Sequence, residues 1–124
     1  VILGIGIDVV EIRRMRELID RWGNHFIDKV FTERERDYAA SKANSVQHYA
    51  GRFAVKEAVA KALATGWSKG FRWKDVEVTN DDAGKPSVSV YGNVQSILQG
   101  STILVSISHS ENVIVAFAVI ESSP

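Results

Sequence analysis

The sequence has no cysteine, and only two prolines and one methionine among its 124 residues. Without thiols there is no disulfide, no thiolate metal centre and no cysteine nucleophile, and the absence fits a reducing cytosol. With so little proline and no low-complexity tract, the composition argues against a disordered arm or a Pro-rich linker. Net charge is missing as well. Fifteen Lys and Arg residues are cancelled by fifteen Asp and Glu, so no global field exists to hold nucleic acid without sequence preference, and a charged partner must be met locally. The longest uninterrupted apolar run, Val113 to Ile120, is well short of a membrane span. No basic-then-apolar leader precedes Val1, and the expectation is a cytoplasmic protein without a membrane partner.

What is present is the composition of a globular protein, 45% apolar and 24% charged, at a length that suits one core. Residues 1–124 are expected to form a single domain. Val1 to Val10 reads as a buried strand. A helix then carries Ile12, Met15, Ile19 and Trp22 at helical spacing until Gly23 stops it. Thr32-Glu33-Arg34-Glu35 is a capping box for a second helix through Ala40, and Ser41 to Ser45 reads as a loop. From Gln47 to Thr65 the chain is rich in Ala, Lys and Glu and closes at Gly66, which predicts the longest, central helix. Asp75 to Thr79 and Ser87 to Tyr91 should pair across the turn-forming stretch Asn80 to Pro86. A short helix near Asn93 to Gln99 precedes two further strands, Ile103 to His109 and Val113 to Glu121. The class is α+β, with helices mainly in the first half and antiparallel strands in the second.

Several residues invite chemistry. Gly4-Ile5-Gly6-Ile7-Asp8 suggests a dinucleotide turn, but the third glycine of that fingerprint is absent, because Val9 stands in its place. By itself Asp8 reads as the cap of a helix beginning near Val10. Glu57 and Lys61 are one helical turn apart in the order that favours an ion pair, and Phe53, Ala60 and Ala64 on the same side suggest that this face packs. Asp8 and Glu57 each set a carboxylate against an apolar element, which is economical if a cation or charged ligand lies between them. His109, flanked by Ser108 and Ser110, shares a strand face with Ile103, Val105 and Ile107; a base, a phosphate donor and a structural residue are all open readings. A Ser-His-acid hydrolase lacks its Gly-x-Ser-x-Gly elbow. His25 and His48 read as surface or capping residues, and Lys85-Pro86 as a turn. Arg14 and Arg21 frame Leu18, an exposed apolar residue between cations, as either a solvated face or a dock for an acidic helix.

These segments together resemble the holo-[acyl-carrier-protein] synthases, the short bacterial type of 4′-phosphopantetheinyl transferase. The resemblance rests on Gly4-Ile5-Gly6-Ile7-Asp8 with Glu11 behind it, Phe31-Thr32-x-x-Glu35 and Gly51-Arg52-Phe53-x-x-Lys56-Glu57-Ala58-x-x-Lys61-Ala62. It continues through Gly84-Lys85-Pro86 and Ser106-Ile107-Ser108-His109-Ser110. It implies the family's fold, a long central helix packed on an antiparallel sheet, and transfer of the phosphopantetheine arm of coenzyme A to a serine of apo-acyl carrier protein in fatty acid biosynthesis. It further implies that Asp8 and Glu57 hold Mg²⁺ and that Lys61 stands at the reacting phosphates, so that these three carry catalysis. Arg52, Gly66, Lys85, Pro86 and His109 match positions near the nucleotide. Arg14, Leu18 and Arg21 match the face that receives the carrier protein, and a homotrimer is implied with its site between subunits. Two departures, Ala64-Thr65-Gly66 in place of Gly-Thr-Gly and Val113 in place of an aromatic residue, bear on how coenzyme A lies. Two other classes compete with this reading: a non-catalytic binding module of the same fold, and a metal-dependent phosphohydrolase.

Overall fold

In the computed structural model, which describes residues 1–63 and 70–123, the chain opens on strand β1 (Ile2–Glu11) and passes directly into helix α1 (Ile12–Trp22). Gly23 ends α1 at a φ of 54°, its N–H donated to the Ile19 carbonyl, in the left-handed region that glycine tolerates. A helix that the sequence did not announce follows, α2 (Asn24–Val30). Its buried positions are Ile27 and Val30, with Phe26 half-buried against the core beside them, and the stretch is too short to show a period. The capping box forms as read: Glu35 N–H donates to Thr32 Oγ1 at 3.2 Å and Thr32 N–H to Glu35 Oε1 at 2.9 Å, opening α3 (Glu33–Ala40).

Helix α4 (Ser45–Ala62) is the longest element and is buried along most of its length. Its expected closing stretch, Ala64-Thr65-Gly66, lies outside the described residues. A single 3₁₀ turn (Trp73–Asp75) leads into β2 (Val76–Asn80) and β3 (Pro86–Val90), then helix α5 (Gly92–Leu98), β4 (Thr102–His109) and β5 (Val113–Glu121). In one sheet β5 lies between β1 and β4 and is antiparallel to both, whereas β2 and β3 form a separate antiparallel pair. The architecture is α+β, a long helix laid on an antiparallel sheet, as expected.

The register of β1 on β5 explains the paired glycines. On the face toward α4, Gly4 sits opposite Ile120, Gly6 opposite Ala118, Asp8 opposite Ala116 and Val10 opposite Ile114. A methyl group on Gly4 would run into the carbonyl of Ala62, and one on Gly6 into that of Ala58. The glycines therefore admit the helix backbone against the strand, and no nucleotide is needed to account for them.

The other face of this sheet is bare in the single chain. Ile5 (60%), Ile7 (54%), Val9 (59%), Leu104 (51%) and Phe117 (40%) are all exposed, so β1, expected to be buried, is buried on one side only. Contiguous exposed apolar surface of this kind marks an interaction face.

Beneath α4, the Lys56 ammonium is fully buried. It donates to Glu35 at 2.9 Å, to the Trp73 carbonyl at 2.8 Å and to the Val76 carbonyl, while Glu35 Oε2 accepts from Val78 N–H at 2.8 Å. Burial lowers the pKa of Lys56 and the Glu35 charge opposes the fall. This satisfied pair pins α3, α4 and β2 together. Lys56→Met should lower the unfolding free energy by about 3–5 kcal/mol, because it strands a buried carboxylate, and adding Glu35→Gln should restore part of the loss. Denaturant titration checks this, and a single variant as stable as the parent would refute it.

Candidate functional site

Parity along β1 sends Asp8 to the α4 side of the sheet, opposite Ala116. The reading of Asp8 as a helix cap is overturned: α1 begins at Ile12, Glu11 holds the cap position without a side-chain bond, and Asp8 stays within β1. Its Oδ1 accepts from Lys61 Nζ at 3.0 Å, and the same ammonium donates to the Ile7 carbonyl at 3.0 Å. The expected Glu57–Lys61 ion pair is therefore not the bond that forms, because Lys61 reaches across to the strand instead of along its own helix. Glu57 has no ion-pair partner among the described residues. Burial raises its pKa, the Asp8 charge raises it further, and Lys61 offsets part of the rise. The two carboxylates thus sense one another across the helix–strand contact.

Glu57 stands between two grooves. One, of about 310 Å³, also contains Asp8, Arg14, Leu18 and Phe53; the other, of about 840 Å³, runs past Phe71 and Trp73 to Lys29 and Arg72. Phe53 and Trp73, which line one groove each with Glu57, stack at 5.0 Å. Helix α1 brings Arg14 and Leu18 to the carboxylates, and Leu18 is half-buried here where an exposed residue was expected. Arg21 lies outside this groove, its guanidinium 5.2 Å from the Trp22 ring centre.

The donors gathered here are hard oxygens: two carboxylates from separate elements, one of them half-buried with its ionisation opposed by the other. A small divalent cation relieves that repulsion, and Mg²⁺ needs few protein ligands because it keeps several waters. No cluster of three or more His or acidic side chains suited to a larger metal cage occurs among the described residues.

Another group of candidate residues meets elsewhere. Arg52 Nη2 donates to Asn80 Oδ1 at 2.8 Å, the guanidinium lies 4.1 Å from the Tyr38 ring centre, and its buried Nε has no hydrogen-bond partner among the described residues. Asn80 Nδ2 donates to the Gly84 carbonyl at 3.0 Å and Lys85 N–H to Asp81 Oδ1 at 2.8 Å, which brings the turn carrying Lys85 and Pro86 up to Arg52. A groove of about 300 Å³ here is lined by Arg34, Tyr38, Arg52 and Asn80. His48 packs edge-on to Tyr38 at 5.4 Å. Burial lowers the pKa of His48, and the charges of Arg52 and Lys42 lower it further; His109 is exposed at the end of β4, opposite Ile114. Sequence reasoning passed over Tyr38 and Asn80, whose roles arise only from contact with Arg52, and read His48 as a surface or capping residue where it packs on Tyr38. Gly66 lies outside the described residues. Arg52 and Lys61 are nine residues apart on α4, two and a half turns, so these groups project from opposite sides of one helix.

Residues 4–118 match the family model of the 4′-phosphopantetheinyl transferase superfamily. The chain is also 45% identical to the holo-[acyl-carrier-protein] synthase of Protochlamydia amoebophila, over 94% of this chain and 96% of that one. The chain belongs to the holo-[acyl-carrier-protein] synthase family of 4′-phosphopantetheinyl transferases. Among solved structures, this transferase is similar to the holo-(acyl-carrier-protein) synthase of Bacillus anthracis in complex with CoA (3′,5′-ADP), with a TM-score of 0.83 and 39% identity over 98% of each chain. It is also similar to the Neisseria meningitidis synthase, at a TM-score of 0.90 and 31% identity over 98% of this chain and 100% of that one. No helix among the described residues of the transferase is long and apolar enough to cross a membrane.

Proposed function

We propose that residues 1–124 act as a single cytoplasmic domain that transfers the 4′-phosphopantetheine group of coenzyme A to a serine of apo-acyl carrier protein, with Mg²⁺, releasing adenosine 3′,5′-bisphosphate. The observation that carries this reading is the convergence of Asp8, Glu57 and Lys61 at a groove that continues to Arg14 and Leu18. Mg²⁺ held by Asp8 and Glu57 would supply charge neutralisation at the pyrophosphate. In the transfer, the serine hydroxyl gives up its proton to solvent and its oxygen forms a bond to the phosphorus of the pantetheine phosphate as the bridging P–O bond breaks, and negative charge grows on the departing nucleotide phosphate. Such a displacement needs alignment and charge stabilisation more than covalent help. The Lys61 ammonium meets that charge, while Arg14 and Leu18 orient the carrier protein that brings the serine. Arg52, Lys85, Pro86 and His109 hold the nucleotide end.

Because Arg52 and Lys61 leave α4 on opposite sides, one chain does not readily offer both groups to one coenzyme A. We read the working unit as a homotrimer whose sites lie between subunits. The bare apolar face of the β1–β5–β4 sheet supports this, since a closed ring would cover it without leaving a face for further growth.

The deciding experiment is intact-mass measurement of apo-acyl carrier protein incubated with this protein, coenzyme A and Mg²⁺. The expected result is a carrier protein heavier by one phosphopantetheine group. An unmodified carrier protein would overturn the reading; in that event, phosphate-containing fragments from coenzyme A alone would point to a phosphohydrolase and intact coenzyme A to a binding module. Arg14→Glu combined with Arg21→Glu should raise the KM for carrier protein about tenfold or more at low salt and flatten its salt dependence, leaving coenzyme A binding nearly unchanged. Unaltered carrier-protein kinetics would remove α1 from the docking face.

A further inference from the structure

We propose that Lys61 is a built-in counter-ion for Asp8, so that a divalent cation binding at Asp8 competes with the Lys61 ammonium and displaces it. The proposal rests on the reading of Asp8 and Glu57 as metal donors and adds a role for Lys61 before any phosphate is bound.

The geometry is specific. The ammonium is held at two acceptors, Asp8 Oδ1 and the Ile7 carbonyl, each at 3.0 Å, so it is seated on β1 rather than sampling solvent. The side chain of Asp8 is 16% exposed and that of Lys61 54%. The aspartate is confined under the helix, whereas the lysine has open space into which its flexible stem can withdraw. With Oδ1 engaged by the ammonium, part of the aspartate charge is already neutralised, and an ammonium at contact distance also repels a dication. For a partly exposed pair these effects should weaken binding of a divalent cation to the two carboxylates by roughly five- to tenfold.

Displacement has a second consequence. The released ammonium remains one turn from Glu57, beside the carboxylates and free to take a phosphate oxygen in place of Asp8. Cation binding therefore frees the group that binds phosphate, and phosphate binding removes the competitor of the cation. Linkage makes this coupling reciprocal. A lone metal ion would be held weakly, and the site would fill when metal and a phosphate ligand arrive together.

The test is Mn²⁺ binding to the intact protein, without coenzyme A or carrier protein, followed at neutral pH and low salt by the electron paramagnetic resonance of free Mn²⁺. Wild type is compared with Lys61→Met and Asp8→Asn. The expected result is binding about five- to tenfold tighter in Lys61→Met, a gain that shrinks as salt rises, and loss of binding in Asp8→Asn. Unchanged or weaker binding in Lys61→Met, with binding still lost in Asp8→Asn, would overturn the counter-ion role and leave the metal site standing. Equal binding in wild type and Asp8→Asn would overturn the metal reading and this proposal with it.

Discussion

Asp8→Asn and Glu57→Gln are each expected to slow transfer to apo-acyl carrier protein by about 10²–10³-fold without unfolding the chain, since either change removes an anionic donor that positions positive charge at the transition state. The effect on the fold runs differently at the two positions. Asp8→Asn loses the bond to Lys61, a partly exposed ion pair whose removal costs within about 1 kcal/mol. At Glu57 the sign reverses. Burial and Asp8 raise its folded-state pKa, so the folded chain holds that proton more tightly than the unfolded chain does. The stability linked to this group is therefore present at low pH and is lost as pH rises through the raised value. At neutral pH the ionised carboxylate is a burden on the fold, and Glu57→Gln should be as stable as the parent or more so. An inactive but undiminished Glu57→Gln protein, checked by thermal unfolding beside the mass assay, would mark a residue kept for function at some expense of stability. Near-parental turnover of either variant at saturating Mg²⁺ would show that the metal assignment is wrong.

Phe117→Glu is expected to dissolve the proposed trimer and take activity with it. Phe117 lies in the middle of the bare sheet face, opposite Ile7 on β1 and Ser106 on β4. A charge there meets water in the single chain but would be buried without a partner between subunits, at a cost of several kcal/mol. Because Phe117 is exposed in the monomer, its replacement should leave the chain folded. Light scattering and activity followed over one dilution series should fall together, with activity reduced more than about tenfold wherever the variant is monomeric. A fully active monomer would refute the shared site.

Much of this was written in local sequence. The capping box at Thr32 and Glu35, the glycine stop at Gly23, the long Ala-rich helix and both hairpins follow from rules that act within a few residues, and the chain obeys them. The family was equally legible, because its motifs are contiguous strings whose order and spacing survive without knowledge of the fold. Helix α2 was not legible, since seven residues are too few to carry a measurable period.

The misreadings at the site share a cause. Asp8 looked like a cap and Glu57–Lys61 like a pair because sequence distance was the only distance at hand. The strand's parity and the two glycines decide otherwise, by letting α4 approach β1 closely enough for Lys61 to reach Asp8 from 53 residues away. Likewise the buried Glu35–Lys56 pair and the setting of Tyr38, His48 and Asn80 around Arg52 join elements distant along the chain. The sequence by itself determined every strand and every α-helix but α2, their order, the family and the residue types able to hold a cation and a phosphate. Tertiary structure alone decided which charge meets which and that one face of the sheet stays bare. Propensity and capping act over one or two turns, whereas ion pairing and burial depend on distances in space that only packing sets.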